Sequence, residues 1–361
     1  MTTSKKLAFR MHVLAAGHGD CLWVDFGDPD TPTRILVDAG TTGTFPRIRA
    51  ALDLVRGSAP SHAVLMVTHV DADHVGGALK VLEDSTLAGQ FEQVWFNGRR
   101  HLAQAANLQS FGAVQGERLT SALLKMPGRW NAAFAGGAVM RPSAGEPPTW
   151  SIGGATVTIL GPTEKELASL LPVWDREVVA AGLQPHIAAS KARPKVPGWQ
   201  SFGPSDVSGW ADTAVGPDTA PANGSSIATL IEYRGARLLL GADAHPQVLL
   251  EGIRRLSPSS PLAVDVWKLP HHGSAANVTD DLLAAVDART VVFSSNGAYF
   301  SHPDKVAVAR VVRRYRNTGV HLVFNYKTTH NHLWASPSLQ AKWNYTTAYG
   351  KGLAGVSVHL I

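Results

Sequence analysis

The chain has one cysteine, Cys21, among its 361 residues. A lone thiol closes no intrachain disulfide, and it excludes the thiolate-rich zinc sites of ribbons and fingers. Long apolar runs are also missing, and no stretch approaches the roughly 20 residues that span a bilayer. The opening MTTSKKLAFRMHVLAAGHGD carries a lysine pair, but its short apolar stretch runs into His12 and a strand-like pattern. A signal peptide is therefore not expected, and the cytoplasm is the default compartment. Strong charge of one sign is absent too: charged residues make up 17% and the formal net charge is +5. The densest basic clusters, RVVRRYR (310–316), KARPK (191–195) and Arg99-Arg100, each read as a solvated helix face. An anionic substrate would suit them, although they do not establish one. No internal repeat is visible, and 45% hydrophobic residues supply a sizeable core.

What is present is an alternation of strand and helix signals. LAFRMHVLAA, CLWVDFG and RILVDAG read as strands, with the small turn Gly17-His18-Gly19-Asp20 between the first two. FPRIRAALDLVRG has helical spacing, with Ile48, Leu52 and Val55 on one side. HAVLMVTH is a continuous apolar run, as expected for a strand buried on both faces. From about residue 100 to 222 the pattern loosens. A helix is expected near 117–125, a strand at GATVTILGP (154–162) and a helix in TEKELASLLPVWDREVVAAG. The Pro-, Gly- and Ser-rich stretch over about 190–222 reads as a long surface loop or lid. Strand signals return in SIATLIEYRGARLLLGADAH, AVDVWKLPHHGS and TVVFSSNGAYFSHP, followed by the helix DKVAVARVVRRYRNTG. The alternation predicts one α/β sandwich domain over 1–361, with an irregular insertion at about 100–222.

The chemistry concentrates in HVDADH. His69, Asp71, Asp73 and His74 follow the apolar run directly, so a strand delivers them to a loop ahead of a helix. Imidazoles and carboxylates at this spacing can ligate two adjacent cations. A helix cap is the plain alternative, but capping needs one acidic residue rather than four ligands. Further donors end later strands: Asp243 closes RLLLGAD, and His271 and His272 close DVWKLPHH. Strand ends on one sheet edge converge in space. The candidate metal ligands are therefore His69, Asp71, Asp73, His74, Asp243, His271 and His272.

In their order, THVDADHVGG, LLLGADA and WKLPHHGS resemble the metallo-β-lactamase fold, and within it the ComEC/Rec2-like nuclease branch. That branch typically shows a Gly-Gln-Gly-Asp turn, His-x-Asp-x-Asp-His, an Asn/Ser-rich turn, Gly-Asp and His-His-Gly-Ser. This chain offers residues 17–20, 69–74, 223–226, Asp243 and 271–274, within a span of about 12–305. The resemblance implies an αββα sandwich with a dinuclear metal site at the sheet edge. Channel-forming membrane segments are not in this sequence, so DNA transport is not implied. Departures are informative. His18 stands where the branch has glutamine, and Ala242 separates Gly241 from Asp243. Residues 223–226 occupy the place of a ligand-bearing histidine turn in lactamase-like relatives.

With Asp71 replacing a histidine as well, the first metal position gains harder oxygen ligands, which favours Mn²⁺ or Mg²⁺ over Zn²⁺. Two divalent ions are expected, Zn²⁺ or Mn²⁺, with Mg²⁺ as a further option. One is assigned to Asp73, His74, Asp243 and one of His271 and His272, the other to His69, Asp71 and Asp243, with Asn223 as an additional ligand. Two cations roughly 3.5–4 Å apart activate water and stabilise charge on attacking and leaving oxygens. The expected activity is a phosphodiesterase or nuclease acting on nucleic acid or a nucleotide, a substrate class that rests on the resemblance. Hydrolysis of a lactam, lactone or thioester is the alternative, and a non-catalytic metal-binding scaffold is a third reading. Asp73 and His302 are the candidate catalytic residues, and Asn223, Ser225 and Lys268 are assigned to substrate. His302 either serves a substrate oxygen or caps the helix after Pro303. Asp20 and Asp38 are expected to orient ligand histidines. His101, His245 and HNHLW (330–334) read as surface or structural. No membrane partner is expected.

Overall fold

The first strands point alternate side chains into two different cores. Leu22, Val24 and Phe26 share one cluster with Ile35 and Val37, while Trp23 and Leu36 join another. This period-two division is what a strand covered on both faces requires. The computed structural model describes residues 7–56, 62–106, 114–126, 128–180 and 206–361. Among them the strands are, in chain order, β1 (Ala8–Val13), β2 (Leu22–Gly27), β3 (Thr33–Val37), β4 (His62–Met66), β5 (Phe91–Trp95), β6 (Thr149–Ile152), β7 (Ala155–Gly161), β8 (Ala228–Tyr233), β9 (Ala236–Leu240), β10 (Leu262–Lys268), β11 (Val286–Phe293), β12 (Val320–Phe324), β13 (Tyr345–Tyr349) and β14 (Val356–His359).

They form two sheets, ordered β14-β1-β2-β3-β4-β5 and β13-β12-β11-β10-β9-β8-β7-β6. The run β3-β4-β5 is parallel, as is β9-β10-β11-β12-β13. Side chains of both sheets meet in a shared core that includes Phe9, Met11, Met66, Ile231, Leu240, Val266 and Val292. Helices cover both outer faces. Ile48, Val75, Leu102, Leu119, Leu167 and Trp174 pack outside the first sheet, and Leu249, Ile253, Val308 and Val312 outside the second. The architecture is a four-layer αββα sandwich. No helix of the described residues is long and apolar enough to cross a membrane.

Within the region expected at about 100–222, the helix near 117–125, the strand at 154–162 and the helix in TEKELASLLPVWDREVVAAG are present, with more order beside them. The helices Arg99–Ala106, Val114–Leu124 and Glu164–Ala180 cover the first sheet, and β6 and β7 extend the second. Helical spacing of Leu167, Leu170, Leu171 and Trp174 buries one face despite Pro172 within the same helix. Of the expected lid, residues 190–205, including the basic KARPK cluster, lie outside the described residues.

Candidate metal centre

Parallel strands of both sheets end at one edge, and the segments beyond them carry the candidate ligands. Asp38 follows β3, His69 follows β4, Asp243 follows β9, His271 and His272 follow β10, and Ser294 follows β11. Backbone bonds tie these loops across the two sheets: Ile227 N donates to Thr68 O at 3.0 Å and Asn296 N to Gly17 O at 2.9 Å. Asp38, Ala242, His271 and His272 all hold left-handed backbone, with φ of 56°, 46°, 47° and 54°. Such a conformation costs a non-glycine residue about 1–3 kcal/mol, and surrounding structure must enforce it. Gly273 follows with φ 87°, and a Cβ there would lie 2.6 Å from Phe293. The edge is shaped by tertiary contacts against local preference.

Asp243 is the hub. Its Oδ2 lies 3.4 Å from His74 Nε2, 3.6 Å from His272 Nε2, 3.8 Å from His271 Nε2 and 3.9 Å from His69 Nε2. Asp73 Oδ2 stands 3.5 Å from His272 Nε2 and 3.9 Å from His74 Nε2. Four compact groups result among the described residues, His69–His74–Asp243, Asp73–His74–His272, Asp20–Asp243–His272 and Asp20–Asp38–His74, each with its ligand atoms within 4.8 Å of one another.

Outer hydrogen bonds decide which ring nitrogen faces inward. Asp38 Oδ2 accepts from His74 Nδ1 at 2.8 Å and from Thr68 Oγ1 at 2.7 Å. Because Thr68 spends its hydroxyl hydrogen on Asp38, its oxygen accepts from His69 Nδ1 at 3.0 Å. His272 Nδ1 donates to the Ser294 carbonyl at 2.9 Å, with Asp20 Oδ1 3.2 Å away. His271 Nδ1 donates to Asn277 Oδ1 at 2.9 Å. All four rings thus commit Nδ1–H outward and turn Nε2 toward Asp243.

That arrangement asks for positive charge at its centre. Nε2 of His69, His74 and His272 and Oδ1 of Asp243 and Asn223 are buried with no hydrogen-bond partner. Orphaned polar atoms of this kind are costly to bury. Burial opposes a charge on His272, yet Asp243 and then Asp20 push the imidazole up to about 10. His74 is likewise raised against burial, by Asp243 and Asp38. His69 moves the other way, down to about 4, because burial and the neighbouring His74 outweigh the carboxylates. Burial would raise Asp73 and Asp243, but His74 and then His272 hold both below the usual carboxylate range. A divalent cation satisfies the same atoms at once. Ligands about 2.0–2.2 Å from a tetrahedral ion stand roughly 3.4 Å apart, close to the spacing around Asp243. The donor set fits a metal.

The expected ligands do not all stand alike. His272 is fully buried inside the cluster, whereas the His271 side chain is 21% exposed and anchored by Asn277. Asp71 sits 3.8 Å from His69 Nε2 with its side chain 39% exposed, at the mouth of the centre. Asn223 stays close, its Nδ2 3.4 Å from His271 Nδ1 and donating to Asp218 Oδ2 at 2.7 Å. Two substrate assignments need correction. Lys268 is fully buried, and its ammonium is spent on Asp20 Oδ2 at 2.7 Å and the Leu269 carbonyl at 3.0 Å. Through Asp20 it steadies His272 rather than meeting substrate. Ser225 is also buried, with its hydroxyl donating to the Ala222 carbonyl at 2.7 Å.

His302 lies at the rim, its ring 5.4 Å from that of His271 and its Nδ1 3.1 Å from Asp304 Oδ1. Asp304, not His302, holds the N-cap position of the helix Lys305–Arg314. His245 is spent on the Ala220 carbonyl at 2.9 Å, and His101 is buried beside Trp130. His330 and His332 join none of the metal-compatible groups among the described residues. Sequence reasoning missed Asp218, which accepts from both Asn223 and Asn277 and faces His271 Nδ1 at 3.4 Å. Burial would raise this carboxyl, but His271 and its other donors hold it well below the ordinary range. Its signal was faint, an aspartate in a Pro/Ala/Gly-rich stretch five positions before Asn223.

Residues 16–88 match the family model of the metallo-beta-lactamase superfamily. The match takes in the turn 17–20 and the 69–74 cluster. No curated protein sequence matches. Among solved structures, the metallo-beta-lactamase fold protein YhfI from Bacillus subtilis is 10% identical, with a TM-score of 0.43 over 98% of this chain and 100% of that one. Zn(2+)-bound PqqB from Methylobacterium extorquens is 14% identical, with a TM-score of 0.43 over 97% and 99% of the two chains.

Proposed function

We propose that this protein is a metal-dependent hydrolase that cleaves a phosphodiester in nucleic acid or a nucleotide. The observation that carries the hydrolase reading is the Asp243 hub, on which inward-facing imidazole nitrogens converge with no other partner. His69, His74, His272, Asp73 and Asp243 would hold divalent cations, with Asp71 and Asn223 completing the more open, oxygen-rich side. Cations held there supply Lewis acidity and a water activated for attack at neutral pH. The chain's own part is positioning. Asp38 and Thr68 fix the rings of His74 and His69, while Asp20 and the Ser294 carbonyl fix His272. In this reading His302, paired with Asp304, hydrogen-bonds a substrate oxygen from the rim.

The phosphodiester choice is supported by motif order, from the turn 17–20 through HVDADH, NGSS and Asp243 to HHGS, which resembles the ComEC/Rec2-like branch. The oxygen-rich open side suits Mn²⁺ or Mg²⁺ with an anionic substrate. Incubation with Mn²⁺, Mg²⁺ or Zn²⁺ and labelled single- and double-stranded DNA and RNA tests it, with Asp73→Ala/His74→Ala as control. Cleavage that disappears in the control is expected. Turnover of nitrocefin or an acyl thioester, with no nucleic acid or dinucleotide cleaved, would overturn the substrate class.

A further inference from the structure

We propose that Tyr299 and Phe300 form an aromatic shelf beside the metal centre that stacks a nucleobase-like ring of the substrate. The proposal rests on the phosphodiesterase reading and adds the group that such a substrate must carry. Of the six exposed large hydrophobic side chains among the described residues, the two aromatic ones are these neighbours, 37% and 36% exposed. Trp23, Trp95, Trp174, Trp267 and Trp334 are by contrast fully buried. Scattered exposed apolar residues need no explanation, but two adjacent rings beside a candidate site do.

Their position follows from a continuous chain of rings. Tyr299 stacks on His18 with centroids 5.1 Å apart and meets the edge of Phe300 at 4.4 Å. Phe300 stacks on His302 at 5.9 Å, and His302 meets His271 at 5.4 Å. The shelf therefore runs between the turn 17–20 and the His271 side of the hub. Gly19 of that turn presses on Asp73 so closely that a Cβ would lie 1.9 Å from the Asp73 carbonyl oxygen. A ring lying on the shelf would be reached from the centre by way of His302 and His271, the latter 3.8 Å from Asp243.

Hydrogen bonds tie the loop backbone to the turn 17–20 and to itself. Asn296 N donates to Gly17 O at 2.9 Å, Gly297 N to Ser295 Oγ at 3.1 Å, Ala298 N to Asn296 Oδ1 at 2.9 Å and Ser301 N to Gly297 O at 3.1 Å. Gly297 takes φ 69°, and a Cβ there would lie 2.4 Å from the His330 ring. Preorganised ring faces lose little entropy on stacking, and every base presents a π face to them. Phosphate and base would thus be recognised by separate parts of one edge, the charge by cations held at the hub and the plane by the shelf.

The test compares a dinucleotide with its abasic counterpart, which share the scissile phosphodiester and differ only in the rings. The wild-type protein should favour the base-bearing substrate through KM. Tyr299→Ala should cut that preference about tenfold through KM, and Phe300→Ala, which also uncovers His302, should cut it as well. Tyr299→Phe should keep the preference. Equal loss on both substrates, or no preference in the wild type, would overturn the shelf while leaving the phosphodiesterase reading intact. If no phosphodiester turns over, calorimetry of adenosine 5′-monophosphate against ribose 5-phosphate still reads the shelf. Tighter binding of the nucleotide that vanishes in the alanine variants supports it, and equal binding by the wild type sinks it. Both side chains are exposed, so the folded state tolerates their removal.

Discussion

His69 at the metal edge and His101 beneath Trp130 invite direct comparison. Both are buried imidazoles pushed down to about 4 by burial, and each leaves a ring nitrogen without a partner. Around His69 stand Asp71 and Asp243, at 3.8 and 3.9 Å, and a second imidazole, His74, with its ring at 4.2 Å. Around His101 stand the Gly136 carbonyl at 3.1 Å, Arg100 Nε at 3.1 Å and the edge-on Trp130 ring at 5.0 Å. Arg100 also covers the Trp130 ring at 3.7 Å. An orphaned imidazole nitrogen therefore points to a metal only where carboxylates converge on it. In His101 the orphaned nitrogen is Nδ1, and Nε2 is the one that meets Arg100 and the Gly136 carbonyl, so this ring belongs to packing.

The sharpest way to break this comparison is to remove the carboxylate. Asp243→Ala should strip bound metal, measured by elemental analysis, and reduce hydrolysis to background. His101→Gln should leave the metal content unchanged. Metal lost equally from both variants would mean that the edge merely needs an intact fold.

Next comes the carboxylate that only orients. Asp38 touches His74 and Thr68 from outside the hub, so Asp38→Ala should weaken metal affinity about 10–100-fold without abolishing it. Competition against a chromogenic chelator reads this directly. An unchanged affinity would show that His74 needs no help in presenting Nε2.

A third difference is in protons. With His272 raised to about 10 and His74 raised as well, metal uptake at pH 7 must displace protons from these rings. Apparent affinity should therefore rise with pH through the neutral range and fall on acidification. Calorimetry in buffers of different ionisation enthalpy should show at least one proton released per chain. Buffer-independent heats would contradict the protonated, metal-free edge.

The effect furthest from the metal edge belongs to His101. Its folded-state value of about 4 lies below the ordinary 6.5, so the buried neutral ring contributes stability above pH 6.5. That contribution fades as pH falls from 6.5 toward 4, because the unfolded chain takes up the proton first. The stability difference between wild type and His101→Gln in the metal-free protein should shift by roughly 2–3 kcal/mol over that window. Urea titrations at pH 7 and pH 4.5 measure it, and a pH-independent difference would rule out a neutral buried His101.

Much of this edge was legible because its signals are local. An apolar run followed at once by His69, Asp71, Asp73 and His74 is a strand delivering ligands to a loop, and the same holds for Asp243 and for His271 with His272. Lys268 was misleading for a related reason. It adjoins the histidines in sequence, but as the last residue of β10 it points into the sandwich, where Asp20 meets it. Asp218 was invisible because its aspartate lies in a stretch without periodicity, and only the fold brings it to Asn277. Tyr299 and Phe300 were likewise two ordinary residues in a loop until their neighbours in space were known.

The sequence by itself determined the layers, the ligand types and the order in which strands present them, since hydrophobic period and residue chemistry are short-range properties. Tertiary structure alone decided that His272 is fully buried in the hub while His271 is partly exposed, that Lys268 turns inward, and that among the described residues no carboxylate pairs with His101. These choices depend on distances between elements tens to hundreds of residues apart, on left-handed backbone enforced by packing, and on how two sheets close against each other.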